Sequence, residues 1–121
     1  MDAALLAPVT AWVQDYVTAW DSNDPDDIRA LFTPDAAYYD EPYAEPWRGA
    51  DAIVRGWLGR RDEPGRYTFS WFPLSVTPEV AVLQGEVAYP AEGTTYSNLW
   101  VLRLDADGRC REFTEWWMRH P

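Results

Sequence analysis

Val9, Trp12, Val13, Tyr16, Val17 and Trp20 recur every three or four positions, which predicts an amphipathic helix over residues 8–21 with Pro8 at its start. Asp24, Pro25, Asp26 and Asp27 then spell a second helix start: a capping carboxylate, a proline whose missing N–H costs nothing in the first turn, and acids at the positive end of the dipole. Ile28, Leu31 and Phe32 supply the buried face of that helix, and Pro34 ends it. The apolar run 36–39 predicts one short strand closed by Asp40, and residues 41–47 read as a Pro-rich loop. Residues 51–60 predict a third helix burying Ile53, Val54, Trp57 and Leu58, weakened by Gly56 and Gly59.

From Arg66 onward the period drops from about 3.6 to 2. Residues 66–77, 80–89, 95–104 and 109–118 predict four strands rich in Val, Leu, Tyr, Phe, Trp and Thr. Pro78-Glu79, residues 90–93 and residues 105–108 are turn formers, so these strands follow one another as antiparallel hairpins. Within the first of them the bulky positions move from Tyr67, Phe69 and Trp71 to Phe72, Leu74 and Val76. That change of parity predicts a bulge or a strand buried on both faces, and Pro73 favours an edge position or a bulge. Three helices and one strand followed by a meander is an α+β order in a single domain, residues 1–121.

Composition narrows the function classes. Twenty acids face ten arginines with no lysine, a net charge of −10, which disfavours nucleic acid and anionic membrane as partners. The lone cysteine, Cys110, excludes an internal disulfide and fits a reducing compartment. No basic segment precedes the short apolar stretch 3–7, so the expectation is a cytoplasmic protein. One histidine and one cysteine give no zinc-type cluster, and there is neither a glycine-rich phosphate loop nor a nucleophile elbow, so no metal and no cofactor are expected. Eight tryptophans exceed what a minimal core needs and either fill a thick core or line a cavity that accepts a small hydrophobic ligand.

The run from Tyr16 to Trp20, then 24–32, Pro34-Asp35-Ala36, Trp47-Arg48-Gly49 with Ile53, and 102–110 leading into Trp116-Trp117 resembles, in order and spacing, the nuclear transport factor 2-like fold. The branch it is similar to holds SnoaL-like polyketide cyclases and ketosteroid isomerases. The resemblance implies three N-terminal helices packed on a strongly curved mixed or antiparallel sheet, a cystatin-like α+β barrel with a conical cavity, and a homodimer. It further implies cofactor-free proton transfer on a hydrophobic carbonyl compound, with Asp40 as the base and Tyr16 as donor to the enolate oxygen. The third position of the isomerase site falls on Trp100, whose indole N–H replaces a neutral carboxyl. The cyclases place a catalytic acid near Glu115.

The residues carry their own alternatives. Asp40 is either a catalytic carboxylate or a turn former before Glu41-Pro42. Phe113, Glu115 and Trp117 share one strand face and Glu112, Thr114 and Trp116 the other; the first is the more apolar and is read as facing inward. Asn98 shares a face with Trp100 and reads either as a polar orienter in the pocket or as a cross-strand hydrogen-bonding residue. Tyr38, Phe69, Trp71, Trp20, Trp100, Phe113 and Trp117 complete the expected lining of an apolar, aromatic pocket. Two other functions stay open: a non-catalytic ligand-binding or dimerisation module, and an epoxide hydrolase resembling limonene epoxide hydrolase.

Overall fold

The side chain of Asp2 accepts a hydrogen bond from the Ala4 N–H at 2.8 Å and so opens the first helix, α1 (Ala3–Ser22), well ahead of Pro8. Pro8 therefore lies inside the helix and not at its start. Its missing N–H would have reached the Ala4 carbonyl, but both residues are exposed, so that carbonyl is not sealed away from solvent. In the computed structural model, which describes residues 2–41 and 43–121, Val9, Trp12, Val13, Tyr16 and Ala19 form the buried stripe of α1. Asn23, in the left-handed region at φ 52°, ends it.

Asp24 caps α2 (Pro25–Ala30) through the Asp26 N–H at 2.8 Å. The helix is shorter than its pattern predicts, because the Leu31 carbonyl is taken by the Trp12 indole N–H (3.0 Å) and the Cys110 N–H (2.8 Å). The chain turns there, and Phe32 begins strand β1 (Phe32–Tyr39) in place of closing the helix. Pro34 is thus an exposed strand residue, tolerated where the pairing register shifts between Phe32 and Ala37. Pro42 of the predicted loop lies outside the described residues. A short strand the pattern did not predict, β2 (Trp47–Arg48), pairs antiparallel with β1 before α3 (Ala50–Gly59).

The meander is β3 (Thr68–Val76), β4 (Ala81–Tyr89), β5 (Thr94–Leu104) and β6 (Cys110–Arg119), with a 3-10 turn at Pro90–Glu92. The six strands lie in the order β2-β1-β6-β5-β4-β3. β6 runs antiparallel to β5 and parallel to β1, so the sheet is mixed. It is also open, with β2 and β3 as edges, and not a closed barrel. The predicted bulge appears between Pro73 and Ser75 on edge strand β3, where a proline takes no ladder bond. Among the described residues no helix is long and apolar enough to cross a membrane.

One row of facing side chains positions the site. On β5 and β6, Leu102 pairs with Phe113, Trp100 with Glu115, and Asn98 with Trp117, all on the face that meets the helices. Phe72, Gln84, Leu99 and Trp116 form a row on the opposite face, where Phe72, Leu74, Trp116 and Met118 stand exposed.

Gly56 is fixed by a close approach. A Cβ there would overlap the six-membered ring of Trp47, which stacks on Tyr38 with centroids 4.8 Å apart. Gly56→Ala gains about 1 kcal/mol of helix propensity, while overpacking costs about 1–3 kcal/mol. The variant should be destabilised on balance, with the Trp47 emission altered; an urea midpoint above that of the native protein would refute this.

Candidate functional site

Between the helices and the inward row lies a cavity of about 730 Å³. Its floor is aromatic. Tyr16, reaching in from α1, packs between Trp57 of α3 (4.8 Å) and Trp100 of β5 (4.6 Å) and stacks on Phe113 (5.7 Å). The Tyr16 hydroxyl meets the Tyr38 hydroxyl at 3.1 Å. Two hydroxyls sharing one hydrogen bond leave one O–H proton free to donate. Burial, with the nearby Glu115 charge adding to it, pushes the Tyr16 phenol well above its ordinary value. Burial and the Tyr16 hydroxyl do the same for Tyr38, so both remain protonated donors.

Glu115 stands on the cavity wall opposite Trp100. Its Oε1 accepts a 2.8 Å bond from the Asn98 Nδ2, and it makes no salt bridge among the described residues. Burial first, then the Asp40 charge, push its carboxyl up to about 7, against the lowering effect of Asn98. A carboxyl balanced near neutrality can take up and return a proton at little cost. Asn98 orients it, and with one donor so engaged the Asn98 Oδ1 is buried without a partner among the described residues. The Trp100 Nε1 is likewise buried without one.

Asp40 occupies a different position. It lines the same cavity, but its carboxylate is paired with Arg60, whose guanidinium also sits 5.9 Å over the Trp47 ring. Burial raises the Asp40 carboxyl and Arg60 opposes the rise. An arginine-bound carboxylate is a weaker proton acceptor than a free one. Of the two expected catalytic carboxyls, Asp40 carries the cation and Glu115 has none among the described residues.

Of the expected lining, Tyr38, Trp20, Asn98, Trp100 and Trp117 do border the cavity, Trp117 half-exposed at its mouth. Three others do not. Phe113 is fully buried beneath the Tyr16 and Tyr38 rings. Phe69 lies over Gly85, whose missing Cβ makes room for it, and stacks behind Trp100 at 5.2 Å. Trp71 packs against the core from edge strand β3. Alternation placed all three on the inward face but says nothing of depth, and these are the layer behind the wall.

Nor is the cavity wholly apolar. Its mouth carries Arg60, Arg61, Asp62, Glu63, Arg66 and Glu92. Asp62 is the connecting residue there, accepting the Trp20 indole N–H and the Tyr89 hydroxyl, each at 2.9 Å. Neither Asp62 nor the role of Arg60 carried any sequence signal, since both fall among charges that read as a helix end and a solvated loop. Among the described residues no three His, Cys, Asp or Glu side chains gather to hold a metal ion.

A family model described as SnoaL-like domain matches residues 13–113. A comparison with curated proteins finds no match. Among solved structures, a candidate polyketide cyclase from Sinorhizobium meliloti is 24% identical, with a TM-score of 0.66 over 88% of this chain and 94% of the other. A ketosteroid isomerase-like protein from Erwinia carotovora atroseptica is 18% identical, with a TM-score of 0.68 over 100% of both chains. An NTF-2-like protein of unknown function from Silicibacter pomeroyi is 20% identical, with a TM-score of 0.62 over 98% of this chain and 100% of the other. At these identities the likeness establishes the fold.

Proposed function

The chain belongs to the SnoaL-like domain family, and from that premise we propose that it is a cofactor-independent isomerase or cyclase that moves a proton on a hydrophobic carbonyl compound. The observation carrying this reading is Glu115, a part-buried carboxyl with no cation beside it among the described residues, held by Asn98 on the wall of an aromatic cavity. Glu115 takes the proton alpha to the ketone, and the C–H electron pair moves onto the carbonyl oxygen to give an enolate. The free O–H of the Tyr16–Tyr38 pair donates to that oxygen. Where a double bond lies next to the alpha carbon the enolate is a dienolate, and protonated Glu115 returns the proton at its far carbon, completing an isomerisation; alternatively the enolate carbon attacks a second carbonyl, whose π pair becomes an alkoxide that takes the Glu115 proton as the ring closes. Asp40 supports this through charge: its pairing with Arg60 fixes the rim, and its field raises Glu115.

Solvent deuterium exchange at the alpha carbon of β-tetralone, a flat ketone, tests the assignment without the natural substrate. Exchange should survive Asp40→Asn within about tenfold and be lost in Glu115→Gln. The phenols give a graded result. Tyr16→Phe or Tyr38→Phe alone should cost roughly tenfold, because either leaves one hydroxyl, and the double variant a further tenfold to hundredfold. If the double variant lost no more than the singles, the paired-hydroxyl donor would be wrong.

A second reading is favoured by one contact: Asp40, Arg60 and Glu115 put an acid, an arginine and an acid on one cavity, as epoxide opening by activated water requires. No ketone exchange, with limonene oxide hydrolysis lost in both Asp40→Asn and Glu115→Gln, would replace the first reading by this one. Ligand binding with neither reaction would leave a binding module.

A further inference from the structure

Four arginines that lie far apart in sequence come together beside the first turn of α3. Arg29 comes from α2, Arg48 from β2, Arg55 from α3 and Arg109 from the turn ahead of β6, and they border a cleft of about 600 Å³. Trp47, the neighbour of Arg48, faces the Glu115 cavity, so alternation puts the cleft on the other side of β2. One acid, Asp51, shares the lining; four arginines against one acid give the cleft a local charge of +3 in a chain whose net charge is −10. The cavity mouth differs, for there Arg60, Arg61 and Arg66 stand among Asp40, Asp62, Glu63 and Glu92.

Arg29 is partly committed, to Asp51 at 2.7 Å and loosely to Asp26 at 3.9 Å, and Arg109 reaches Asp107 only at 3.8 Å. Arg48 and Arg55 are exposed and make no salt bridge among the described residues. Arg29 holds the Asp51 carboxyl below its ordinary value, and Arg55 adds to the effect. Four guanidiniums around one carboxylate repel one another, and an anion seated among them relieves that repulsion. A single carboxylate offsets only part of the charge. A phosphomonoester brings about −1.5 to −2 and a diphosphate more, with oxygens that suit the guanidinium fork. Long polyanions are disfavoured by the rest of so acidic a chain.

We propose that Arg29, Arg48, Arg55 and Arg109 form a binding site for a phosphorylated small molecule, separate from the Glu115 cavity. Arg48 and Arg55 carry most of the binding, because no carboxylate has to be displaced from either. Arg29 and Arg109 add charge from the flanks. The site stands whether or not the chemistry at Glu115 does.

Inorganic pyrophosphate, titrated calorimetrically into the native protein at low ionic strength, is the probe. It should bind one to one with a Kd below about 1 mM, and acetate, with its single charge, about tenfold or more weakly. Arg48→Gln and Arg55→Gln should each weaken pyrophosphate about tenfold, as loss of a charged hydrogen-bond donor does. Arg66→Gln removes the same charge from the cavity mouth and should leave the affinity within about twofold. Amide NMR on the native protein locates the anion without any substitution: shifts should centre on residues 48–55, with Arg29 and Arg109. Four results would each overturn the site: no saturable binding, acetate binding as tightly as pyrophosphate, shifts centred on residues 60–66, or equal losses in Arg66→Gln and Arg48→Gln. The last would mean that net charge alone attracts the anion.

Discussion

Glu115→Gln should abolish deuterium exchange into a bound ketone and, in the same molecule, raise the stability of the fold above pH 7. The first effect follows from removing the base while keeping its shape, and should amount to a factor of about 100 to 10,000. The second follows from linkage. The Glu115 carboxyl is raised from 4.5 to about 7 in the folded protein, so between those values the folded chain holds a proton that the unfolded chain has released. Stability therefore falls as pH rises through this window and stays low above pH 7, by on the order of 3 kcal/mol. Glutamine carries no charge at any pH and escapes the loss. The variant should match the native protein near pH 4.5 and melt at higher temperature near pH 8, while native exchange rises with pH and levels off above about 7. Melting curves that separate at acid pH, or not at all, would mean that Glu115 is not held at that value.

The largest structural loss should come from Phe113→Ala. Phe113 is fully buried and meets the rings of Trp12, Tyr16, Tyr38 and Trp100 at centroid distances of 5.2–5.7 Å, except Tyr38 at 4.7 Å. Truncation removes those contacts and leaves a void that four large rings close only in part, at a cost of about 3–5 kcal/mol. A domain of this size has about 5–15 kcal/mol in total. The same void frees Tyr16 and Tyr38, so their hydroxyl pair should loosen and exchange should fall even in the fraction that remains folded. A loss under about 1 kcal/mol in urea titration would show that the cavity floor does not depend on this side chain.

The three helices and four long strands were legible because each buries one face, and burial imposes a period on the residues. Depth and partnership impose none. Ile28, Leu31 and Phe32 continue a helical spacing, yet the Leu31 carbonyl is claimed by Trp12 and Cys110, partners far away in sequence, and the helix stops. Phe69, Trp71 and Phe113 fall on the inward strand face with the cavity residues but fill the layer behind them. The Asp40–Arg60 pair joins a strand end to a helix end, and neither residue indicates the other. The choice of Glu115 over Glu112 as the inward acid rested on the apolar weight of Phe113 and Trp117. Its lack of an arginine, which sets it apart from Asp40, depends on where other elements pack.

The parallel pairing of β1 with β6 has a consequence for how the protein comes into being. β1 finds only the two-residue β2 nearby; its full-length partner is the last strand of the chain. During synthesis the helices and β1 emerge early but cannot complete the sheet until β6 leaves the ribosome, so the long loop must close before its contacts contribute. The meander β3–β4–β5–β6, joined by short turns, can form first, and the acid-bearing strand then offers its free edge to β1, the pairing that sutures the two halves. Pulsed hydrogen exchange during refolding should find the amides that join β1 to β6 protected last, after those that join β6 to β5, and the cavity comes into existence only with that final step.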